Sequence, residues 1–428
     1  MSVANKPTKN RAFTIIIAVI LALIISGFSF LGGFFTSCVI RGQKVNTLSQ
    51  IMTIMEKVGY VYDPVTGEKR ELTEDDYANA LVNAFLDDYS RYYSPEEYLQ
   101  EISQSMGNYT GIGIGFYDDD LFVDVVTGNS PAYKAGLRAG DKLVLGSCDE
   151  GNYKVLFTSA YDVLDFINYC GEDELITFQV ESKGELTMQR QAYVASYVSY
   201  YDSEKIYEFK SEGTEPLVAT ERVNDEYSDI TDEKTAYIKF DLFESDAAIQ
   251  LGLALNYMQS RGRTKLIFDL RDNGGGYLHI LTDVASYFIK NNYSRNSVVA
   301  YSIDKNGNKQ AYATTNNNYK DFITSMCVLA NKNTASASEC LIGALIHYGD
   351  LITKEKIVLE KDAVGDNART YGKGIMQTTY LLTNGGAFKL TTAKIYWPDA
   401  ETCIHGVGVK DGTKAIKGNA IYRAQQLL

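Results

Sequence analysis

Histidine and positive charge are both scarce in this sequence. Its 428 residues hold three histidines, and 41 lysines and arginines against 54 aspartates and glutamates, for a net charge of −13. That deficit removes the electrostatic footprint a nucleic-acid backbone requires, so no nucleic-acid partner is expected. His279, His347 and His405 sit in no recognisable triad motif, which leaves Ser-His-Asp chemistry without support. The six cysteines (Cys38, Cys148, Cys170, Cys327, Cys340 and Cys403) show no C-x-x-C spacing. A zinc signature and a dense disulfide framework are thereby excluded. No motif calls for a metal or any other cofactor, and there is no tandem repeat or low-complexity tract. What remains is 45% hydrophobic and long enough for two or three domains with a sizeable core.

The one long apolar run lies at the N-terminus, where Lys6, Lys9 and Arg11 precede an uncharged stretch over residues 12–40. A membrane span needs about 20 residues. The positive flank predicts a cytoplasmic tail (1–11), a transmembrane anchor (12–40) and an extracytoplasmic remainder, that is, a single-pass cell-membrane protein. No A-x-A-like exit follows the run, which favours an uncleaved anchor. "FTSC", ending in Cys38, is a poor lipidation signal.

Residues 41–104 carry apolar residues at helical spacing, in "LSQIMTIMEKVGYVY" and "DDYANALVNAFLDDYS", and predict a short helical neck. Glycine-rich turns and alternating strands over residues 105–195 predict a small β-rich domain. Residues 196–428 alternate strands with helices, which predicts an α/β core.

Within that core, "NKNTASASECLIGAL" (residues 331–345) places Thr334, Ser336 and Ser338 at alternating positions before a carboxylate and an apolar run. Ser336 and Glu339 fit an S-x-x-E capping box. Ser336 also sits where a helix N-terminus favours developing negative charge and the next N–H, that of Ala337, can donate to an oxyanion. A nucleophile needs a base. Lys373, between two glycines in "RTYGKGIMQTTYLL", can serve if burial leaves its amine neutral. In a strand, Gln377 would share a face with Lys373 and could hold it in position. The loop "LIFDLRDNGGG" offers the N–H groups of Gly274 and Gly275 as further oxyanion donors, with Asp269 and Arg271 shaping the loop.

In this order, "LDDYSRYYSPEEY", "GIGIGF", "SPAYKAGLRAGD", "LIFDLRDNGGG", "TASASE", "TYGKGIMQ" and "GGAFKLTTAKIYWPDAETCIHGVGV" resemble the carboxyl-terminal processing peptidases, or tail-specific proteases, from about residue 45 to about residue 415. The resemblance implies an α/β fold of the ClpP/crotonase type with an inserted PDZ domain at 105–195. It makes Ser336 the nucleophile, Lys373 the general base and Gln377 its orienter, with Glu339 and Thr370 in support. It also implies that Gly111, Ile112, Gly113 and Ile114 capture the terminal carboxylate of a protein or peptide tail, and it is compatible with a bacterial source and with a homo-oligomer. The chain departs from the family pattern in a longer Ser336–Lys373 spacing, in "GIM" before Gln377, and in Cys170-Gly171 where the family often has Arg before Gly.

Two other readings compete. "SIDK" (Ser302 to Lys305) would be the S-x-x-K motif of a penicillin-binding or lactamase-like acyltransferase, but that motif must lie on a helix and here runs into "DKNGNK". A membrane-tethered PDZ scaffold with a decayed peptidase core is the other.

Overall fold

The computed structural model describes residues 47–428 apart from 60, 63–66, 117–118, 149–150, 172, 203–204, 210–216, 222–229, 231, 292–295, 316–317 and 362–367. The expected anchor at 12–40 lies outside the described residues. Among those described, no helix is long and apolar enough to cross a membrane.

The chain divides into two units, up to Phe85 and from Leu86 onward. The first holds a helix over residues 47–58 and the helix Glu74–Phe85, whose first turn is acidic (Glu74, Asp75, Asp76) and so complements the helix dipole. Besides short helices, the region 41–104 expected to be helical also contains a strand. Arg91–Tyr93 is a strand of the second unit, paired with Ala387–Tyr396. Tyr92 and Tyr93 are buried, and burial of adjacent aromatic residues suits an extended chain better than one face of a helix. Helix Pro95–Ser105 follows, with Ser94 and Glu97 forming a complete capping box.

An eight-stranded sheet is the centre of the second unit. Five neighbouring strands run parallel: Thr235–Phe240, Lys265–Asp269, Ser325–Ala330, Ile357–Lys361 and Thr413–Ile416. Val198–Tyr201, Lys205–Glu208 and Leu217–Glu221 extend it antiparallel on one side. The near-continuous apolar strands of the parallel part are those of a sheet covered on both faces, and the alternation decides which residue goes where. Ile238, Phe268 and Val328 face the helices Ala247–Ser260, Leu278–Phe288 and Ala337–Tyr348. Their neighbours Tyr237, Ile267 and Leu329 face the C-terminal helix Ala420–Leu427. A second sheet contains Arg91–Tyr93, Ala387–Tyr396, Val298–Asp304, Lys309–Ala313 and Ile375–Leu381. Ser302 therefore lies on a strand that enters a hairpin, which removes "SIDK" as a helical S-x-x-K motif.

Residues 107–195 form the expected β-rich module. Its own core holds Leu143, Val163, Phe166, Ile176 and Phe178, all buried. Its first and last strands, Asn108–Gly111 and Gln191–Val194, pair with each other, so the segment leaves the core and returns to it at adjacent points.

Candidate active site

Strand Ser325–Ala330 ends in a turn that delivers residues 334–338 to the start of helix Ala337–Tyr348. Burial separates the three hydroxyls there. Thr334 and Ser338 are fully buried and donate to the Leu270 carbonyl (2.7 Å) and the Asn273 carbonyl (3.1 Å). Ser336 is half-exposed. Its backbone has φ 56 and ψ −114, whereas the capping serine Ser94 has φ −60 and ψ 165. A left-handed φ on a non-glycine residue costs on the order of 1–3 kcal/mol and persists only where surrounding contacts impose it. Here they come from Gly275, at φ +102, where a Cβ would lie 2.7 Å from Ser336 Cβ and 2.9 Å from Ala337 N. The glycine loop and the serine turn are in direct contact because one residue lacks a side chain.

Glu339 organises the site. It is fully buried, and its carboxylate accepts four hydrogen bonds. Oε2 takes the N–H of Ser336 (2.8 Å) and that of Lys373 (2.9 Å). Oε1 takes the N–H of Gly372 (2.8 Å) and the hydroxyl of Thr370 (2.5 Å). The backbone of the candidate nucleophile and that of the candidate base thus hang on a single oxygen. Burial pushes the Glu339 carboxyl up, against the pull of these four donors. Thr370 Oγ1 also accepts from Val409 N (2.6 Å), which ties the "GVGV" segment to the same point. The carboxylate half of the anticipated capping box is therefore present, extended to a second loop 34 residues away.

Lys373 is half-buried, with its Nζ 4.6 Å from the centroid of the Tyr89 ring. Among the described residues its side-chain amine has no hydrogen bond or ion pair to hold it charged. Burial lowers its pKa, the nearby Lys389 charge lowers it further, and Asp87 opposes both. Gln377 stands elsewhere than expected. Strand Ile375–Leu381 begins after Lys373, so the alternation that would have put 373 and 377 on one face does not extend to position 373. The Gln377 amide donates to Thr391 Oγ1 (2.9 Å) instead. The N–H of Thr391 in turn donates to Ser90, whose hydroxyl donates to Asp87.

Of the three expected oxyanion donors, Gly275 N is engaged by Asn273 Oδ1 at 2.9 Å. Ala337 N and Gly274 N have no acceptor among the described residues. Asp269 and Arg271 are paired at the start of the glycine loop. Arg271 bridges Asp269 (2.7 Å) and Glu360 (2.9 Å), all three largely buried. Burial would raise the Asp269 carboxyl, but the Arg271 charge and hydrogen bond, the Lys239 charge and the Tyr237 hydroxyl together hold it low.

Sequence reading missed several residues. Buried Asn273 holds the loop through its side chain, to Phe240 O (2.7 Å) and Gly275 N, and its carbonyl accepts from Ala335 N. Its signal was an asparagine heading a glycine triplet. Tyr89 lies against Lys373, and its hydroxyl is 2.9 Å from that of Tyr371. It stood in "LDDYSRYYS" with no role assigned. All three histidines are exposed.

In the β-rich module, Gly111 ends strand Asn108–Gly111 and Ile114 opens the two-residue strand Ile114–Gly115. Ile112 is buried between them. Gly113 has φ +81, and a Cβ there would lie 2.3 Å from Ser130 Cβ. The N–H groups of Ile112 and Gly113 have no acceptor among the described residues.

The model of peptidase family S41 matches residues 234–414, which span the glycine loop, Ser336, Glu339 and Lys373. Over these residues the chain is a member of peptidase family S41. It is 28% identical over 338 residues to a carboxyl-terminal-processing protease of Picosynechococcus sp., covering 77% of this chain and 71% of that protein. It is also 28% identical over 355 residues to a chloroplastic C-terminal processing peptidase of Tetradesmus obliquus, covering 80% and 68%. The mixed α/β fold of this chain is similar to that of the photosystem II D1 C-terminal processing protease, with a TM-score of 0.50 at 23% identity over 81% of this chain and 83% of that one.

Proposed function

We propose that this S41 peptidase is a serine endopeptidase of the C-terminal processing type with a Ser-Lys site. The observation that carries the reading is the Glu339 carboxylate, which fastens the turn of an accessible, conformationally strained serine to the loop of a lysine with a lowered pKa. Neutral Lys373 accepts the Ser336 proton as Oγ attacks the scissile carbonyl. The N–H groups of Ala337 and Gly274 stabilise the oxyanion at the N-terminus of helix Ala337–Tyr348. The proton then passes to the leaving amine, and water hydrolyses the acyl-enzyme by the same route. Gln377 enters the site only if its strand shifts or water bridges it to Lys373.

In this proposal residues 105–195 act as a PDZ domain beside a crotonase-like core. The unengaged N–H groups of Ile112 and Gly113 supply donors for a tail carboxylate, with Gly111 and Ile114 aligning the tail as an added strand. Residues 12–40 anchor the protein in the membrane with the catalytic part outside. The test is cleavage of substrates that differ only in their tails. Ser336→Ala and Lys373→Ala should abolish turnover, and amidating the tail should raise KM at least tenfold. Equal rates on free and amidated tails would overturn tail selection. Full activity in Lys373→Ala would overturn the Ser-Lys assignment.

A further inference from the structure

The β-rich module holds a pair of thiols that the proposed chemistry does not use. Cys148 ends strand Leu143–Cys148, and Cys170 caps helix Ala160–Tyr169. Both are buried, and their sulfurs and a Glu174 carboxylate oxygen all lie within 4.8 Å of one another. The backbone around Cys170 is held in place. Its carbonyl accepts from Arg190 (3.3 Å), and the N–H of Gly171 donates to Glu174 (2.9 Å).

We propose that Cys148 and Cys170 are a redox pair that closes to a disulfide in the presence of a thiol–disulfide oxidant, clamping the C-terminal end of helix Ala160–Tyr169 to the sheet. One thiolate attacks the S–S bond of the oxidant and releases one reagent thiolate. The other then displaces the mixed disulfide and releases the second. One cysteine–cysteine bond forms, and the two cysteine protons end on the two reagent thiols. Burial pushes the Cys170 thiol up to about 12, so exchange in the folded state is slow.

A metal is the competing occupant, since two thiols and a carboxylate make three ligands. A closed structural zinc site takes four, and Glu174 is already engaged by Gly171, so the observations carry the pair further. The clamp reaches substrate choice through the shared core. Val163, Phe166 and Ile167 of the helix pack with Ile112, and Ile114 and Phe116 lie against the same cluster. That consequence rests on the tail-binding reading above, whereas formation of the bond does not.

The experiment is incubation of the full chain with oxidised glutathione, alkylation under denaturing conditions and peptide mapping by mass. The expected result is a linked peptide pair containing Cys148 and Cys170, lighter by two hydrogens, and the loss of two titratable thiols that Cys148→Ser prevents. If that variant does not fold, the mapping of the unsubstituted chain decides alone. Full alkylation of both cysteines, or glutathione left on either, overturns the pair. So does one equivalent of Zn²⁺, added alone to the reduced protein, that shields both thiols from alkylation. The oxidised protein should differ at least threefold in KM for free-tailed substrates with unchanged turnover of small peptides. Equal KM values overturn the link to substrate choice. Mapping needs no turnover, so failure of the peptidase reading would show separately.

Discussion

Glu339→Gln is the substitution that probes the site most sharply, because it keeps the shape of the side chain and removes the charge. Each of the four bonds to this carboxylate contributes on the order of 1.5–3 kcal/mol. An amide has one acceptor oxygen, so its NH2 must face two of the four donors. Placed at Oε1 it meets Gly372 N and the Thr370 hydroxyl, which can turn to accept. Placed at Oε2 it strands the N–H groups of both Ser336 and Lys373. The first orientation costs less. It still leaves one buried N–H without an acceptor, and with weaker bonds at the other three the loss comes to about 3–5 kcal/mol. If about 3 kcal/mol of that falls on the relative placement of Ser336 and Lys373, kcat drops about 10²-fold. Since the carboxylate does not face the substrate tail, KM should stay within about threefold. The assay is steady-state cleavage of a free-tailed substrate alongside thermal unfolding. A variant with kcat within threefold of the unsubstituted protein and an unchanged Tm would refute the reasoning.

Three further outcomes follow from other contacts. Gly275→Ala would put a Cβ 2.7 Å from Ser336 Cβ at a φ of +102, and should reduce kcat at least 10²-fold; ordinary turnover would show that the serine turn does not depend on this contact. Tyr89→Phe keeps the ring beside Lys373 and loses the 2.9 Å contact with Tyr371, so kcat should stay within about threefold, whereas Tyr89→Ala should cost tenfold or more; equal effects would remove Tyr89 as a positioning residue. Burial pushes Glu208 up to about 7, helped by Asp241 and opposed by Asn129, Tyr133 and Arg138. A folded pKa raised above an unfolded value of about 4.3 makes stability greatest at acid pH and diminishes it as pH rises through 7. Glu208→Gln should therefore stabilise the protein by up to about 3 kcal/mol at pH 8 and by almost nothing at pH 4.5; a pH-independent difference in denaturant midpoints would contradict this.

The parts of this protein that could be read in advance are those set by local pattern. The strands around Ile238, Phe268 and Val328 are short apolar runs bounded by turn residues, and the helix after Ser336 follows a carboxylate-capped start. Both signals lie within a dozen residues. Ser336 could be singled out by motif, but the reason it differs from Thr334 and Ser338 is burial against Leu270 and Asn273, which no local spacing encodes. Gln377 was misplaced because its strand begins only at Ile375, so strand alternation does not reach Lys373, and where the strand begins is settled by pairing with Ala387–Tyr396. The role of Tyr89 depends on a contact across 284 residues of sequence. Arg91–Tyr93 read as the tail of a helical region because its partner strand lies almost 300 residues downstream.

The central claim is that Ser336 carries the acyl group and that Lys373 activates it. Incubating the protein with a saturating peptidyl aryl ester, quenching in acid within a turnover and mapping the acylated peptide by mass tests this directly. The account predicts one acyl group on Ser336 and none in Lys373→Ala. Acylation of another residue, or turnover with Ser336 unmodified, would contradict it.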